Sequence, residues 1–369
     1  MLHFLNKKLR SVAMIAVILG IALSIATPIL AEAEAPKIAT ATISQDPQYI
    51  LSFADSGAGG LIFAVDAYRD LLSYLISIES KYQVQFVFNH IGDTVNAPYG
   101  QKSPSEIARL TKNFVGYMVN DSHSNIAVIA CNTASTSVDD KMEQYFQSAY
   151  PNTPVMAIIT KSAQTLYKRA KVVTGNTGER EMHIGVLATP ATVASGQYQK
   201  ALDQIHAEQN GKKGVKLYTY FYGPKTWVYN IEHGASKEVN QNAISTDLAE
   251  FLKTPNADKV SAIGLFCTHF PFFTKEIHGY LEDQNVKNVA LVPQGRIFAG
   301  RIQSKITADL KSGKYQKRAT PLDPRTIPHP MIYSNITGDN MDDIKGVLQK
   351  IAPDMIDKVV FSKVTIQQL

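Results

Sequence analysis

The sequence predicts an α/β protein made of two doubly wound α/β domains, with mostly parallel sheets and an active site in the cleft between them. Three observations lead there. From Tyr49 onward, short apolar runs alternate with longer helical stretches. The runs fall into two groups, separated at 160–183 by a helical stretch and an exposed loop containing Gly175-Asn-Thr-Gly178. The composition, 45% hydrophobic and 19% charged over 369 residues, suits a packed chain of two domains and argues against disorder.

The elements follow in order. Strands are expected at 49–54, 84–90, 125–130 and 155–159, then at 183–187, 217–222, 262–266 and 288–292. Helices are expected around 61–78, 104–120, 135–148, 195–208, 237–252 and 297–310. Residues 45–159 and 289–369 then form a first lobe with a C-terminal extension, and 160–288 a second. The tail from Lys314 contains Pro321, Pro324, Pro328 and Pro330, so it reads as a surface wrap before a last helix at 341–351.

The N-terminus carries a separate message. Lys7, Lys8 and Arg10 precede an uncharged apolar run at 11–26, and small residues then alternate through Ala31, Ala33 and Ala35. These are the three parts of a secretory signal peptide at 1–35, cleaved after one of those alanines. The competing reading is an uncleaved anchor, for which the apolar run is short. The expectation is therefore a periplasmic or secreted protein without stable membrane association after cleavage. Cleavage would remove three of the 37 basic residues and up to two of the 32 acidic ones, leaving a net charge of +2 to +4. That is too little to imply nucleic acid as a partner, and no basic run with interleaved aromatics occurs.

Only two cysteines are present, Cys131 and Cys267. In an exported protein such a pair first suggests a disulfide. Their surroundings argue for chemistry instead. Cys131 ends the apolar run 126–130 and precedes Asn132-Thr133-Ala-Ser. Cys267 ends the run 262–266 and precedes Thr268-His269-Phe-Pro. Each therefore sits where a buried parallel strand gives way to a helix or loop, the edge at which open α/β sheets bind ligands. A helix N-terminus there lowers a thiol's pKa and favours the thiolate. Asn132, Thr133, Thr268 and His269 add an amide, two hydroxyls and an imidazole able to hold or relay a proton.

Two more strand ends carry polar residues. Asp55-Ser56-Gly-Ala-Gly-Gly follows the first strand; it lacks the ending of a phosphate-binding P-loop and the spacing of a dinucleotide fingerprint. A carboxylate and a hydroxyl on such a turn suit the ammonium and carboxylate of an amino acid. The loop Gly92-Asp-Thr-Val-Asn-Ala-Pro98-Tyr99-Gly100 follows the second strand and has the character of a substrate wall.

These segments, in this order, resemble the glutamate racemases and the wider aspartate/glutamate racemase family. The matching pieces are Asp-Ser-Gly-Ala-Gly-Gly at 55–60, Gly-Asp-Thr…Pro-Tyr-Gly at 92–100, Cys-Asn-Thr-Ala-Ser at 131–135 and Cys-Thr-His-Phe-Pro at 267–271. Ile184-Gly-Val-Leu-Ala-Thr…Ser195-Gly-Gln-Tyr198 is a fifth. The resemblance implies that Cys131 and Cys267 flank the substrate α-carbon as paired base and acid, Cys131 serving the D-enantiomer and Cys267 the L-enantiomer. It implies that Asp55 assists Cys131, that His269 assists Cys267, and that Ser56, Pro98, Tyr99, Gly100, Asn132, Thr133 and Thr268 hold substrate. Trp227-Val-Tyr-Asn-Ile-Glu232-His-Gly resembles the family segment that supplies a glutamate, making Glu232 the partner expected for His269.

The chain departs from the family at Gly223-Pro224, where a cysteine usually precedes the proline, and at Val292-Pro-Gln294-Gly295, where an aspartate is common. No cofactor and no metal are implied. Glutamate is the substrate the resemblance gives, with aspartate or another amino acid as alternatives, and a homodimer is an expectation it also carries. The competing function is a non-catalytic amino-acid-binding protein on the same scaffold, which would need neither thiol.

Overall fold

Burial decides where the strands form. β1 (Gln48–Asp55), β2 (Gln85–Gly92), β3 (Ile126–Ile129) and β4 (Val155–Ala157) are short apolar runs, and all four residues of β3 are buried. A strand apolar on both faces belongs inside a parallel sheet covered by helices. β5 (Glu181–Ala188), β6 (Lys216–Tyr222), β7 (Ala262–Phe266) and β8 (Ala290–Val292) repeat the pattern in the second half. β9 (Ile332–Ile336) and β10 (Val359–Lys363) close the chain. This computed structural model describes residues 46–177, 180–210 and 214–367, and the expected signal peptide lies outside them.

Two parallel sheets result. The first has six strands in the order β10-β9-β2-β1-β3-β4; the second has four, β6-β5-β7-β8. The crossovers are helical. Helix Gly59–Glu79 follows β1 and packs on β1 and β2, with Phe63 against Phe53 and Tyr68 against Phe88, all buried. Several helix starts are written in the sequence: Ser103, Asp139, Thr189 and Ser236 each accept a backbone N–H from the first turn that follows. Among the described residues, no helix is long and apolar enough to cross a membrane.

All eight expected strands form, with ends shifted by at most two residues. The last of them starts at Ala290 because Asn288 adopts a left-handed conformation (φ 61°) that interrupts extension. That run, expected to open the return to the first half, pairs instead with β7 in the second sheet. The return is made by helix Ala299–Lys311, which packs against helix Gly59–Glu79. Tyr49 in β1 donates a hydrogen bond to Asp309 Oδ2 at 2.8 Å across this contact.

The tail also departs from expectation. Its proline-containing stretch, 316–331, runs mostly exposed over the surface and its helix, Met341–Ile351, falls where the sequence places it, but two unexpected strands flank that helix. β9 pairs with β2, setting Phe88 opposite Ile332 and His90 opposite Ser334, and His90 Nδ1 lies 2.9 Å from Ser334 Oγ. Beyond β9, Thr337 Oγ1 donates to Asp93 Oδ1 at 3.2 Å and Gly338 N–H donates to Thr94 Oγ1 at 2.9 Å. The tail thereby braces the loop after β2. Since Ile332 is wholly buried, Ile332→Ala should cost about 2–5 kcal/mol of unfolding free energy in a urea titration. Val360→Ala on the exposed edge strand should stay within about 0.5 kcal/mol. Equally small effects at both positions would mean that the tail lies on the surface without joining the core.

Candidate active site

Parallel strands that enter a sheet side by side also end side by side, so the residues just past β1, β2 and β3 share an edge of one sheet and those past β5 and β7 share an edge of the other. A cleft of about 360 Å³ lies at these strand ends. All twelve residues singled out in the sequence line it: Asp55, Ser56, Pro98, Tyr99, Gly100, Cys131, Asn132, Thr133, Glu232, Cys267, Thr268 and His269. A larger hollow of about 900 Å³, bounded by Phe146, Tyr150, Arg301 and Lys305 among others, contains neither cysteine. Both thiols are free and buried, so no disulfide joins them.

The Cys267 side is built as a relay. His269 Nδ1 lies 3.7 Å from Cys267 Sγ, and its Nε2 lies 3.1 Å from Glu232 Oε1. Burial works against a charged ring, but the hydrogen bonds and negative charge of Cys267 and Glu232 raise the His269 pKa well above its ordinary value. Glu232 is held below the usual carboxylate range despite its own burial, because His269 donates to it and carries positive charge beside it. A positively charged ring thus faces the Cys267 sulfur.

Cys131 has a different environment. Ser56 Oγ lies 3.6 Å from its sulfur, and Ala134 N–H donates to it at 3.4 Å. Burial, reinforced by the charge of Asp55, pushes this thiol up to about 12. The expectation that a helix start would lower the pKa fails at this position. The helix Asn132–Ser135 is a single turn, and the N–H it offers is outweighed by full desolvation and a nearby carboxylate. Asp55 itself is pushed up to about 6 by burial, against the pull of His269 and of the Gly57 N–H. Its oxygens accept from Gly57 N at 2.9 Å and from Thr268 Oγ1 at 3.2 Å. Asp55 therefore acts on Cys131 through charge while linking the turn after β1 to the turn after β7.

Glycine makes that link possible. A Cβ on Gly59 would sit 2.0 Å from Thr268 Oγ1 and 2.7 Å from His269 Nδ1, and one on Gly57 would sit 2.3 Å from Glu232 Oε1. Ala58 N–H donates to Glu232 Oε1 at 3.4 Å in the same turn. Close approach of backbone to functional groups is the reason for glycine at both positions.

Of the remaining expected residues, Tyr99 is set by its own network. Its hydroxyl donates to Asp93 Oδ2 at 2.6 Å, and Asp93 N–H donates to the Asp55 carbonyl at 2.9 Å. Thr133 Oγ1 lies 3.1 Å from Thr189 Oγ1 and 3.2 Å from Thr192 Oγ1, joining the end of β3 to the end of β5. Asn132 is locked from behind: its Nδ2 donates to Gln294 Oε1 at 2.7 Å, and its Oδ1 accepts from Tyr198 OH at 2.5 Å. Gln294 Nε2 in turn reaches Tyr198 OH at 2.9 Å and Ser162 Oγ at 2.8 Å. The departure at Gln294 thus leaves a buried polar cluster whose amide groups are matched donor to acceptor.

Sequence reasoning missed Gln101, Thr189, Pro190, Lys225 and Val228, which also line the cleft. Thr189-Pro190 carried a usable signal, because it follows the end of β5 as Cys131 follows β3. Lys225 gave none beyond its place ahead of the Glu232 segment.

Relatives of this chain are numerous, although no family model matches it. Glutamate racemase of Aquifex pyrophilus is 30% identical over 234 residues, which span 63% of this chain and 75% of that protein. The glutamate racemase of Shewanella denitrificans is 31% identical over 252 residues, 68% of this chain and 75% of that protein. Among solved structures, the fold is shared with glutamate racemase from Francisella tularensis in complex with D-glutamate. That pair has a TM-score of 0.59 at 20% identity, covering 89% of this chain and 100% of the other. The Thermus thermophilus glutamate racemase structure gives 0.59 at 21% identity, covering 88% and 99%. With a relative above 30% identity covered over three quarters of its length, and with both cysteines in one cleft, the chain belongs to the glutamate racemase family of amino-acid racemases.

Proposed function

We propose that the protein interconverts L- and D-glutamate without a cofactor, with Cys131 and Cys267 as the two acid–base groups, and that it does so outside the cytoplasm. The observation that carries the reading is the unequal provision for two thiols in one cleft. Inverting a carbon through a planar carbanion requires a base on one face and an acid on the other. Cys267, facing the His269–Glu232 pair, is equipped to act as thiolate. Cys131, held up near 12, is equipped to wait as thiol. Cys267 then removes the α-proton of the L-enantiomer while Cys131 protonates the opposite face, and the reverse reaction exchanges the roles. His269 takes up and returns positive charge as Cys267 changes state. Asp55 strengthens Cys131 as a base once that thiol has given up its proton, and it attracts the substrate ammonium. The hydroxyls of Ser56, Thr133 and Thr268 and the amide of Asn132 receive the α-carboxylate.

Glutamate as substrate is supported by the relatives, which are named for it. Export is supported by Lys7, Lys8 and Arg10 ahead of the apolar run at 11–26, and mass spectrometry of the mature N-terminus tests it. A location outside the cytoplasm separates the enzyme from cell-wall precursor synthesis and fits release or salvage of D-amino acids.

Two outcomes follow for the enzyme. Cys131→Ser and Cys267→Ser should each lower racemisation of glutamate by roughly 10²–10⁴-fold, measured by circular dichroism of the amino acid under reducing conditions. Full turnover in both variants would remove the two-thiol assignment. The acid limb of kcat/KM should report Asp55. Its folded-state pKa is raised to about 6, so the carboxylate that serves substrate and Cys131 is present above that pH and lost below it. Activity should therefore fall as pH drops through about 6, and Asp55→Asn, less active throughout, should lack that limb.

A further inference from the structure

The charges lining the cleft do not balance for an acidic substrate without one residue that plays no part in the acid–base chemistry. Asp55 and Glu232 are the carboxylates there, and His269 is committed to Glu232 and Cys267. Lys225 is the only lysine or arginine among the lining residues. An amino acid entering this space can place its ammonium by Asp55 and its α-carboxylate among the hydroxyls and the Asn132 amide. A second carboxylate would find neutral groups and two negative ones, were Lys225 absent.

The geometry of the chain around Lys225 suits it to this use. It lies in the connection between β6 and the helix Trp227–Glu232, the helix that delivers Glu232 to His269. Pro224 before it is buried, and Trp227 after it is wholly buried, packed edge-on against Phe270 and Phe273. The backbone is thus pinned on both sides, while the Lys225 side chain itself is exposed. A fixed root with a free ammonium at the rim can meet a charge at the mouth without loosening the acid–base groups below.

We propose that Lys225 is the specificity-determining residue of the cleft, meeting the side-chain carboxylate of an acidic amino acid and disfavouring neutral ones. The inference rests on the racemase reading above and names the residue that selects its substrate class. A rim charge acts on capture rather than on the chemical step, and its effect is screened by salt.

The test compares L-glutamate with L-glutamine, its neutral amide, in the full-length protein and in Lys225→Met, Lys225→Glu and Lys225→Arg. KM is measured for a substrate that turns over, and Ki for one that only binds. Lys225→Met should raise KM for glutamate roughly tenfold while kcat stays within about twofold, the size expected for loss of one charge-assisted contact. Lys225→Glu should raise it further, and Lys225→Arg should restore it. The constants for glutamine should not rise, and the salt dependence of kcat/KM for glutamate should flatten in Lys225→Met. An active enzyme whose glutamate-to-glutamine preference is unchanged in Lys225→Met overturns this inference alone. A wild-type protein that turns over neither compound overturns the racemase reading, and this inference with it.

Discussion

The contact on which the site depends is the approach of the glycine turn after β1 to the Thr268-His269 turn after β7. Four groups meet there within hydrogen-bonding distance: the Asp55 carboxylate, the Ala58 N–H, the Thr268 hydroxyl and the Glu232 carboxylate. The turn belongs to one sheet, and His269 and Glu232 belong with the other. A methyl group at Gly59 would collide with both Thr268 and His269. Close packing therefore fixes the distance between the two halves of the cleft, and with it the distance across which a substrate must be gripped. The buried cluster of Asn132, Tyr198, Gln294 and Ser162 ties the halves together a second time, behind Cys131.

Within that frame, the two buried thiols meet different partners. Desolvation penalises charge everywhere in a closed site. At Cys131 the Asp55 carboxylate adds to the penalty, whereas Cys267 faces the His269 ring with Glu232 behind it. One fold thus gives two chemically identical side chains unlike surroundings, as the proposed division of labour requires. The arrangement also explains why free cysteines suit a protein read as exported: both sulfurs are enclosed, and each is occupied with its own hydrogen-bond partners.

Much of this was legible in the sequence because the site is built from strand ends. A buried parallel strand announces itself as an uninterrupted apolar run, and the residues just past it must lie on the binding edge. That reasoning put Cys131, Cys267, Asp55 and the 92–100 loop at binding edges, and the family resemblance brought both thiols to one cleft. Glu232 was reached only through the family resemblance, since its helix gives no local hint that it faces His269. β9 and β10 were missed because they are five residues long, half exposed, and follow a run of prolines that reads as loop. The Cys131 pKa was misjudged for a different reason. Sequence shows the helix start but not the depth of burial or the Asp55 charge that overrides it. Lys225 lay beyond reach, because one lysine in a loop looks like any other until the cleft wall is assembled around it.

The most direct measurement of the central claim is the fate of the α-hydrogen in D₂O. Purified protein, kept reduced, is given L-glutamate, and both enantiomers are separated at low conversion and examined for deuterium. Two thiols on opposite faces predict D-glutamate carrying solvent deuterium while the remaining L-glutamate keeps its original proton. Recovered L-glutamate deuterated as fast as product would mean that a single base serves both faces, and absence of deuterium from both would mean that the α-carbon is never deprotonated.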